Sequence, residues 1–234
     1  MTSPTAAAPS PRIRDLERAL ASAGPAPRLV WYGSAGERIE LSGVVLLNWA
    51  AKTANLLVEE CDVDPGTTVG LDLPVHWRTL AIALGAWQAG AVLHTGAVDG
   101  AVTVYIGGAP AADGTMRADH DVVVALGTLD LAWPGRLPAD VLDYAATVRA
   151  FGDGFGGTPA TGPLELRRDG EPVALSASET AGAGTRALDP ALGVTGTLVA
   201  AVGAWLDGAA VLITDKADGV TDAVLASERA VRAS

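Results

Sequence analysis

Residues 69–93 read VGLDLPVHWRTLAIALGAWQAGAVL, and this stretch decides how the rest of the chain is organised. Its first apolar run ends at Pro74 and predicts a strand. Apolar residues at helical spacing predict a helix over 76–89, and Gly90 stands where a left-handed residue closes a helix. A second apolar run starts at Ala91. Strand, helix, glycine and strand in this order predict a βαβ unit, and therefore a parallel sheet.

The sequence at the end of this stretch is repeated later in the chain. Residues 85–93 read GAWQAGAVL and residues 203–212 read GAWLDGAAVL. The second copy follows an apolar run that predicts a helix over 194–206, and it leads through Gly208 into a predicted strand over 210–214. No reactive side chain recurs in the phrase. We interpret each copy as a corner between a helix and a buried strand.

The residues before residue 69 predict a helix, a β-hairpin and a second helix. A leader helix is expected over 12–23, followed by a hairpin of strands at 29–32 and 38–41. Ser42 then predicts the N-cap of a long helix that runs to about Glu60.

The residues after residue 93 carry weaker signals. Strands are expected at 102–106 and 122–126, and a helix at about 138–151. A strand pair is expected at 164–167 and 172–175, followed by a short helix that begins at Ser176-Ala-Ser-Glu179. An irregular connector and a closing helix from Thr221 complete the prediction.

Composition limits the classes of partner. The chain of 234 residues is 49% hydrophobic, with a mean hydropathy of +0.30 and a net charge of −11. This acidic balance disfavours nucleic acid, and no apolar run is long enough to predict a membrane span or a secretory signal, so we expect a cytoplasmic protein. Cys61 is the single cysteine, which rules out an intramolecular disulfide. Only Lys52 and Lys216 offer a flexible ammonium group.

The run from Glu40 to Leu93 resembles the N-terminal region of AMP-forming acyl-CoA synthetases, adenylation domains and luciferases. Ser42 matches the family's helix cap, Val63-Asp64-Pro65-Gly66 its turn before a strand, Leu73-Pro74 its entry to a helix, and Gly90-Ala91 its entry to the next strand. The chain as a whole resembles a short actinobacterial family that is distantly related to these AMP-binding enzymes.

The resemblance implies an α/β fold with a mostly parallel sheet and flanking helices, a truncated N-terminal domain of the acyl-adenylate-forming fold. Within a single domain over 1–234 we expect a leader helix in 1–27, a first α/β subdomain over 28–150, a glycine-rich loop over 151–163, and a partial second subdomain over 164–234.

The family's phosphate-binding loop, which is rich in Ser, Thr and Gly and followed by Pro-Lys-Gly, has only a degenerate counterpart here. The sequence from Gly156 to Glu179 reads GGTPATGPLELRRDGEPVALSASE, and it puts Glu171 in place of the lysine. The resemblance implies ATP or AMP as the ligand of this segment. Its candidate cofactor-binding residues are Thr158, Thr161, Arg167 and Arg168.

The family's other catalytic parts have no counterpart in the sequence. We find neither its aromatic-Gly-x-Thr-Glu segment, nor its ribose-binding aspartate, nor its domain with a catalytic lysine. We therefore predict no catalytic residues and a binding or regulatory module, for a nucleotide or an acyl metabolite, that does not adenylate its ligand. The alternative is half of a split acyl-adenylate or acyl-CoA ligase that a partner protein completes, and a purely structural scaffold also stays open.

Three further patterns are interpreted as structural. Residues 152–157 fit G-x-G-x-x-G, but they follow a predicted helix rather than a strand, which favours a connecting loop. In Asp119-His120-Asp121, neighbouring side chains of an extended segment point to opposite faces, so no metal site is predicted. His76 is expected to begin a helix. His94 ends a strand at the edge where open parallel sheets bind ligands, and we still favour a structural role for it.

Overall fold

The computed structural model describes residues 10–98, 102–127, 130–177 and 183–233. The helices are α1 (Ile13–Ala21), α2 (Gly43–Cys61), α3 (Trp77–Gln88), α4 (Tyr144–Thr147), α5 (Gly193–Leu206) and α6 (Asp222–Ser227). The strands are β1 (Pro27–Tyr32), β2 (Arg38–Ser42), β3 (Thr68–Asp72), β4 (Val92–Thr95), β5 (Val104–Gly107), β6 (His120–Val123), β7 (Val141–Asp143), β8 (Glu165–Arg168), β9 (Glu171–Pro172), β10 (Thr185–Ala187), β11 (Ala210–Thr214) and β12 (Ala230–Arg232).

The predicted βαβ unit is confirmed as β3–α3–β4. The two strands are parallel, with Thr68 opposite Val92. His76 caps α3, since its Nδ1 accepts the N–H of Arg78 at 3.1 Å. Gly90 has a φ of +87°, a conformation that glycine reaches without a steric penalty, so the chain can turn directly from α3 into β4.

The hairpin and the long helix predicted before residue 69 are confirmed as well. Strands β1 and β2 form an antiparallel hairpin, and the Ser42 side chain accepts the N–H of Val45 at the start of α2. Helix α2 packs along α3. At their crossing, a Cβ built on Gly85 would lie 2.5 Å from the Thr53 Cβ and 2.7 Å from the Ala50 carbonyl oxygen. The crossing therefore depends on the absence of a side chain at Gly85.

The strands form two sheets, and neither sheet follows the predicted division of the chain. One sheet has the order β12-β10-β11-β1-β2 and the other β7-β6-β5-β3-β4-β8-β9. Strand β1 pairs in parallel with β11, and β8 pairs in parallel with β4. The boundaries at 28–150 and 164–234 are thus wrong as subdomain limits, because each sheet takes strands from both segments.

The main core lies between the two sheets. It combines inward residues of both sheets with residues of α1, α2, α3 and α5, and α3 contacts strands of both. A smaller cluster on the outer face of the five-stranded sheet packs under α6. The expected leader helix thus belongs to the body of the fold, through contacts of α1 with α2 and α5.

The repeated phrase marks equivalent corners in the two sheets. Trp87, at the end of α3, donates its indole N–H to the Glu165 carbonyl of β8 at 2.9 Å. Trp205, at the end of α5, donates its indole N–H to the Arg28 carbonyl of β1, also at 2.9 Å. Both side chains are buried. In each copy the tryptophan fastens the helix end to a strand.

Several predictions for the second half of the chain need correction. The expected helix over 138–151 is a strand, β7, followed by the short α4 and a 3₁₀ turn over Val148–Ala150. Asp143 ends the strand and caps α4 with its carboxylate. The irregular connector contains β10, and α6 is followed by β12. The expected strand at 172–175 is confined to Glu171–Pro172, and most of the helix expected after Ser176 lies outside the described residues.

No helix in the described ranges is both long and apolar enough to cross a bilayer.

Candidate functional site

The two predicted threonines lie at the amino-terminal edge of the seven-stranded sheet. Thr158 and Thr161 line a cavity of about 310 Å³, whose wall also includes Gly66 before β3 and Gly90 before β4. Ligands of open parallel sheets bind at the opposite edge, where the strands end. The threonines are therefore at the less favourable edge for a nucleotide.

The two predicted arginines lie at the carboxyl end of β8. Arg167 and Arg168 are exposed there, and Arg168 Nε lies 3.5 Å from a carboxylate oxygen of Asp169. Strand β8 runs from the cavity wall at Glu165 to Arg168, about 10 Å away at about 3.3 Å per residue. The structure does not bring the four predicted residues into one site.

The part of the degenerate segment that resembles the exit of the phosphate-binding loop, around Gly170 and Glu171, is a tight hairpin turn. Arg168 pairs with Glu171 across the turn, which leaves only Asp169 and Gly170 as its loop. Their φ angles are +50° and +84°, and a type I′ hairpin turn requires positive φ at both positions. Two residues present too few backbone N–H groups to surround a phosphate chain.

Asp169 of this turn is bonded to the segment that follows β4. Asp169 Oδ1 accepts the Ala97 N–H at 2.8 Å, and the Asp169 N–H donates to the Thr95 carbonyl at 3.1 Å. A Cβ on Gly96 would lie 2.3 Å from the same carboxylate. A negative side chain thus stands in the segment where the resemblance implied ATP, and Glu171 adds a second acid, so the two arginines are offset and these residues do not fit a triphosphate.

The glycine-rich loop is fastened to α2. Asn55 donates its amide N–H to the Gly154 carbonyl at 2.9 Å and accepts the Gly156 N–H at 2.9 Å. Lys52 Nζ lies 2.8 Å from a carboxylate oxygen of Asp153. The G-x-G-x-x-G match is therefore an anchored connecting loop, and Lys52 has a structural partner rather than a free ammonium group.

The other singled-out residues have structural surroundings. The Asp121 carboxylate accepts the N–H groups of Arg117 and Ala118, and the described residues contain no group of three or more metal-ligating side chains. Burial, followed by the charge of Arg167, lowers the pKa of His94. Burial raises the pKa of the Cys61 thiol to about 12, so this cysteine is an inert core residue.

A second, larger cavity lies at the carboxyl edge of the seven-stranded sheet. It has a volume of about 450 Å³ and mostly apolar walls, formed by Trp49, Trp77, Leu131, Tyr144 and Val148. These residues come from α2, from the start of α3, from the segment after β6, and from the helical turns after β7. Its size and position are those of a ligand pocket in an open α/β sheet.

The apolar walls of this cavity are held by polar contacts behind them. The Tyr144 hydroxyl is 2.7 Å from Thr53 Oγ1, and Thr53 donates to the Trp49 carbonyl at 2.8 Å. Trp49 and Trp77 meet edge to face, with ring centroids 5.3 Å apart. The indole N–H of Trp77 is buried and has no acceptor among the described residues.

A buried cation forms one end of the same cavity. Arg78 is 6% exposed, and its guanidinium donates to the carbonyls of Ala125, Gly127 and Asp130. Burial lowers its pKa. Arg149 also lines the cavity and donates to the Leu131 carbonyl at 2.8 Å.

None of the predictions from the sequence includes this second cavity. Its signal was one charged residue, Arg78, inside the apolar run from Val75 to Leu84. A charge in a buried helix requires compensating partners, which marks such a position for inspection.

Comparison with solved structures identifies the fold. The chain is similar to an acyl-CoA synthetase of Brucella canis, with a TM-score of 0.68 and 15% identity over 95% of this chain and 47% of that one. It is also similar to a fatty acyl CoA synthetase of Mycobacterium tuberculosis, with a TM-score of 0.58 and 13% identity over 88% of this chain and 45% of that one. The chain thus has a mixed α/β fold with parallel sheets that matches part of an acyl-CoA synthetase, and it spans about half the length of these two proteins.

Comparison of sequences identifies the family. No protein-family model matches the chain. It is 38% identical over 169 residues to a "TIGR03089 family protein" of Mycobacterium tuberculosis, a match that covers 67% of each protein. Identity at this level over two thirds of both proteins, on a fold that resembles part of the acyl-CoA synthetases, means that the chain belongs to the TIGR03089 family.

Proposed function

We propose that this protein is a binding or regulatory module built on the acyl-CoA synthetase frame, without adenylating activity. The observation that carries the proposal is the two-residue turn at Asp169-Gly170, which lies within the segment expected to match the family's phosphate-binding loop, at its exit. Catalysis of adenylation needs donors arranged around the ATP phosphates. The Asp169 carboxylate and Glu171 offset the charges of Arg167 and Arg168 there, so the turn offers a polyanion no net positive charge.

Pyrophosphate release tests this proposal directly. With ATP, magnesium and a panel of carboxylic acids, we expect the purified protein to release no more pyrophosphate than a heat-denatured sample. Release that disappears in Arg168→Ala and persists in the control Arg136→Ala would overturn the proposal, because Arg168 lies at the end of β8 and Arg136 lies in an exposed segment away from it.

A split ligase is the second candidate function. It is favoured by the match to only 47% and 45% of the two acyl-CoA synthetase structures, since a partner protein would then carry the remainder. Copurification from the native cell should recover a partner that brings a catalytic lysine and restores pyrophosphate release when mixed with this chain. Recovery of the chain alone, or a partner that restores no release, excludes this candidate.

A further inference from the structure

The cavity lined by Trp49, Trp77 and Arg78 contains a buried guanidinium group that forms no ion pair with the described residues. No carboxylate of the described residues lies within 4.0 Å of the Arg78 guanidinium, and none lies that close to Arg149. Buried charges in proteins are normally paired with an opposite charge. Among the described residues, the Arg78 guanidinium donates to three carbonyl oxygens and lies over the Trp77 ring, 5.0 Å from its centroid.

Asp130 is the one acidic residue of the described cavity wall, and its charge acts on Arg78 without an ion pair between them. The Asp130 carboxylate accepts the Gly127 N–H at 3.0 Å, and its backbone carbonyl, rather than its carboxylate, is the group bonded to Arg78. Two guanidinium groups and one carboxylate leave the wall with a net positive charge, in a chain whose net charge is −11. The site is therefore locally opposite in sign to the rest of the protein.

The walls of the cavity favour a ligand in which an apolar body is attached to a negatively charged group. The two indole rings, Leu131 and Val148 supply apolar surface. A concave, mostly apolar surface with a few polar groups is the usual form of a small-molecule site. Arginine pairs with the flat head group of a carboxylate through two parallel hydrogen bonds.

We propose that this cavity binds a small apolar monoanion, with its charged head group at Arg78 and Arg149 and its apolar body against Trp49 and Trp77. The inference rests on the proposed binding role and gives that role a site, away from the turn at Asp169-Gly170. The ligand requires no ATP, and its binding is a separate event from any adenylation.

Naphthoate and its neutral counterpart naphthamide test the proposal, because they share one apolar body and differ in charge. Isothermal titration of the full-length protein should show naphthoate binding about ten-fold more tightly than naphthamide, which is the effect of one charge-assisted hydrogen-bond pair. Equal affinity for the two probes, or no binding of naphthoate, overturns the proposal.

Three variants locate the binding event. Arg149→Gln and Leu131→Glu change exposed side chains and should fold, and each should weaken naphthoate binding about ten-fold. Arg136→Gln removes an exposed arginine outside the cavity and should leave the affinity unchanged. If all three variants bind as the natural protein does, the ligand lies elsewhere and the proposal is wrong.

The two proposals fail in different experiments. Pyrophosphate release would overturn the absence of adenylation without affecting ATP-free binding of naphthoate. Failure of naphthoate to bind would remove the proposed site and leave the argument from the two-residue turn intact.

Discussion

Replacing Gly85 with valine is expected to lower the free energy of unfolding by about 3 kcal/mol. The new Cβ would meet the Thr53 Cβ at 2.5 Å and the Ala50 carbonyl oxygen at 2.7 Å, so α2 and α3 must move apart. Alanine at the same position gains about 1 kcal/mol of helix propensity over glycine but meets the same atoms. We expect Gly85→Ala to cost about 1 kcal/mol and valine to cost more.

Urea unfolding followed by circular dichroism measures both effects. Gly162→Ala is the matched control, because a Cβ there meets no atom within 4 Å and the glycine has no positive φ. A Gly85→Val protein as stable as this control would show that the helix crossing tolerates a side chain. Because Thr53 also bonds to Tyr144, displacement of α2 should weaken naphthoate binding in the same variant.

Local signals in the sequence predicted the first half of the fold well. Ser42 and His76 have polar side chains that can cap a helix, and Gly90 supplies the positive φ that ends one, so each boundary has a cause within a few residues. The second GAW phrase had the same kind of cause, and its predicted strand over 210–214 is confirmed as β11.

Short strands in the second half had no such local cause. Strands β7, β10 and β12 have three residues each, too few to show an alternating pattern. Their conformation is fixed by pairing with strands that are distant in sequence, as β10 pairs with β11. The same long-range pairing joins β1 to β11, which is why subdomain limits read along the chain were wrong.

Closeness in the sequence does not predict which residues lie together in the candidate site. Thr161 and Arg167 are six residues apart, yet the length of β8 separates them to opposite edges of the sheet. Conversely, Trp49, Trp77 and Arg149 are far apart in sequence and line one cavity. Only the order of strands in the sheet brings together the segments that follow β3, β6 and β7.

Replacing either tryptophan of the repeated phrase with alanine is expected to cost about 3–5 kcal/mol of the free energy of unfolding, as is typical for a large buried aromatic residue. Trp87→Phe and Trp205→Phe should cost about 1–3 kcal/mol, because they keep most of the buried area but leave the Glu165 or Arg28 carbonyl without its indole donor. Urea unfolding followed by circular dichroism measures the loss of stability in the alanine and the phenylalanine variants.

Trp133→Ala is the control for this series, since its side chain is only partly buried and its backbone N–H keeps the bond to Asp143; we expect it to cost less than about 1 kcal/mol. The two corners fasten helices to strands of different sheets, so the costs of Trp87→Ala and Trp205→Ala should add in the double variant.

If Trp87→Ala costs no more than Trp133→Ala, the contact of Trp87 with β8 does not stabilise the fold. If both corners behave as expected while naphthoate binding survives Trp→Phe at each, then the repeated phrase serves architecture, and ligand binding belongs to the cavity at the other end of α3.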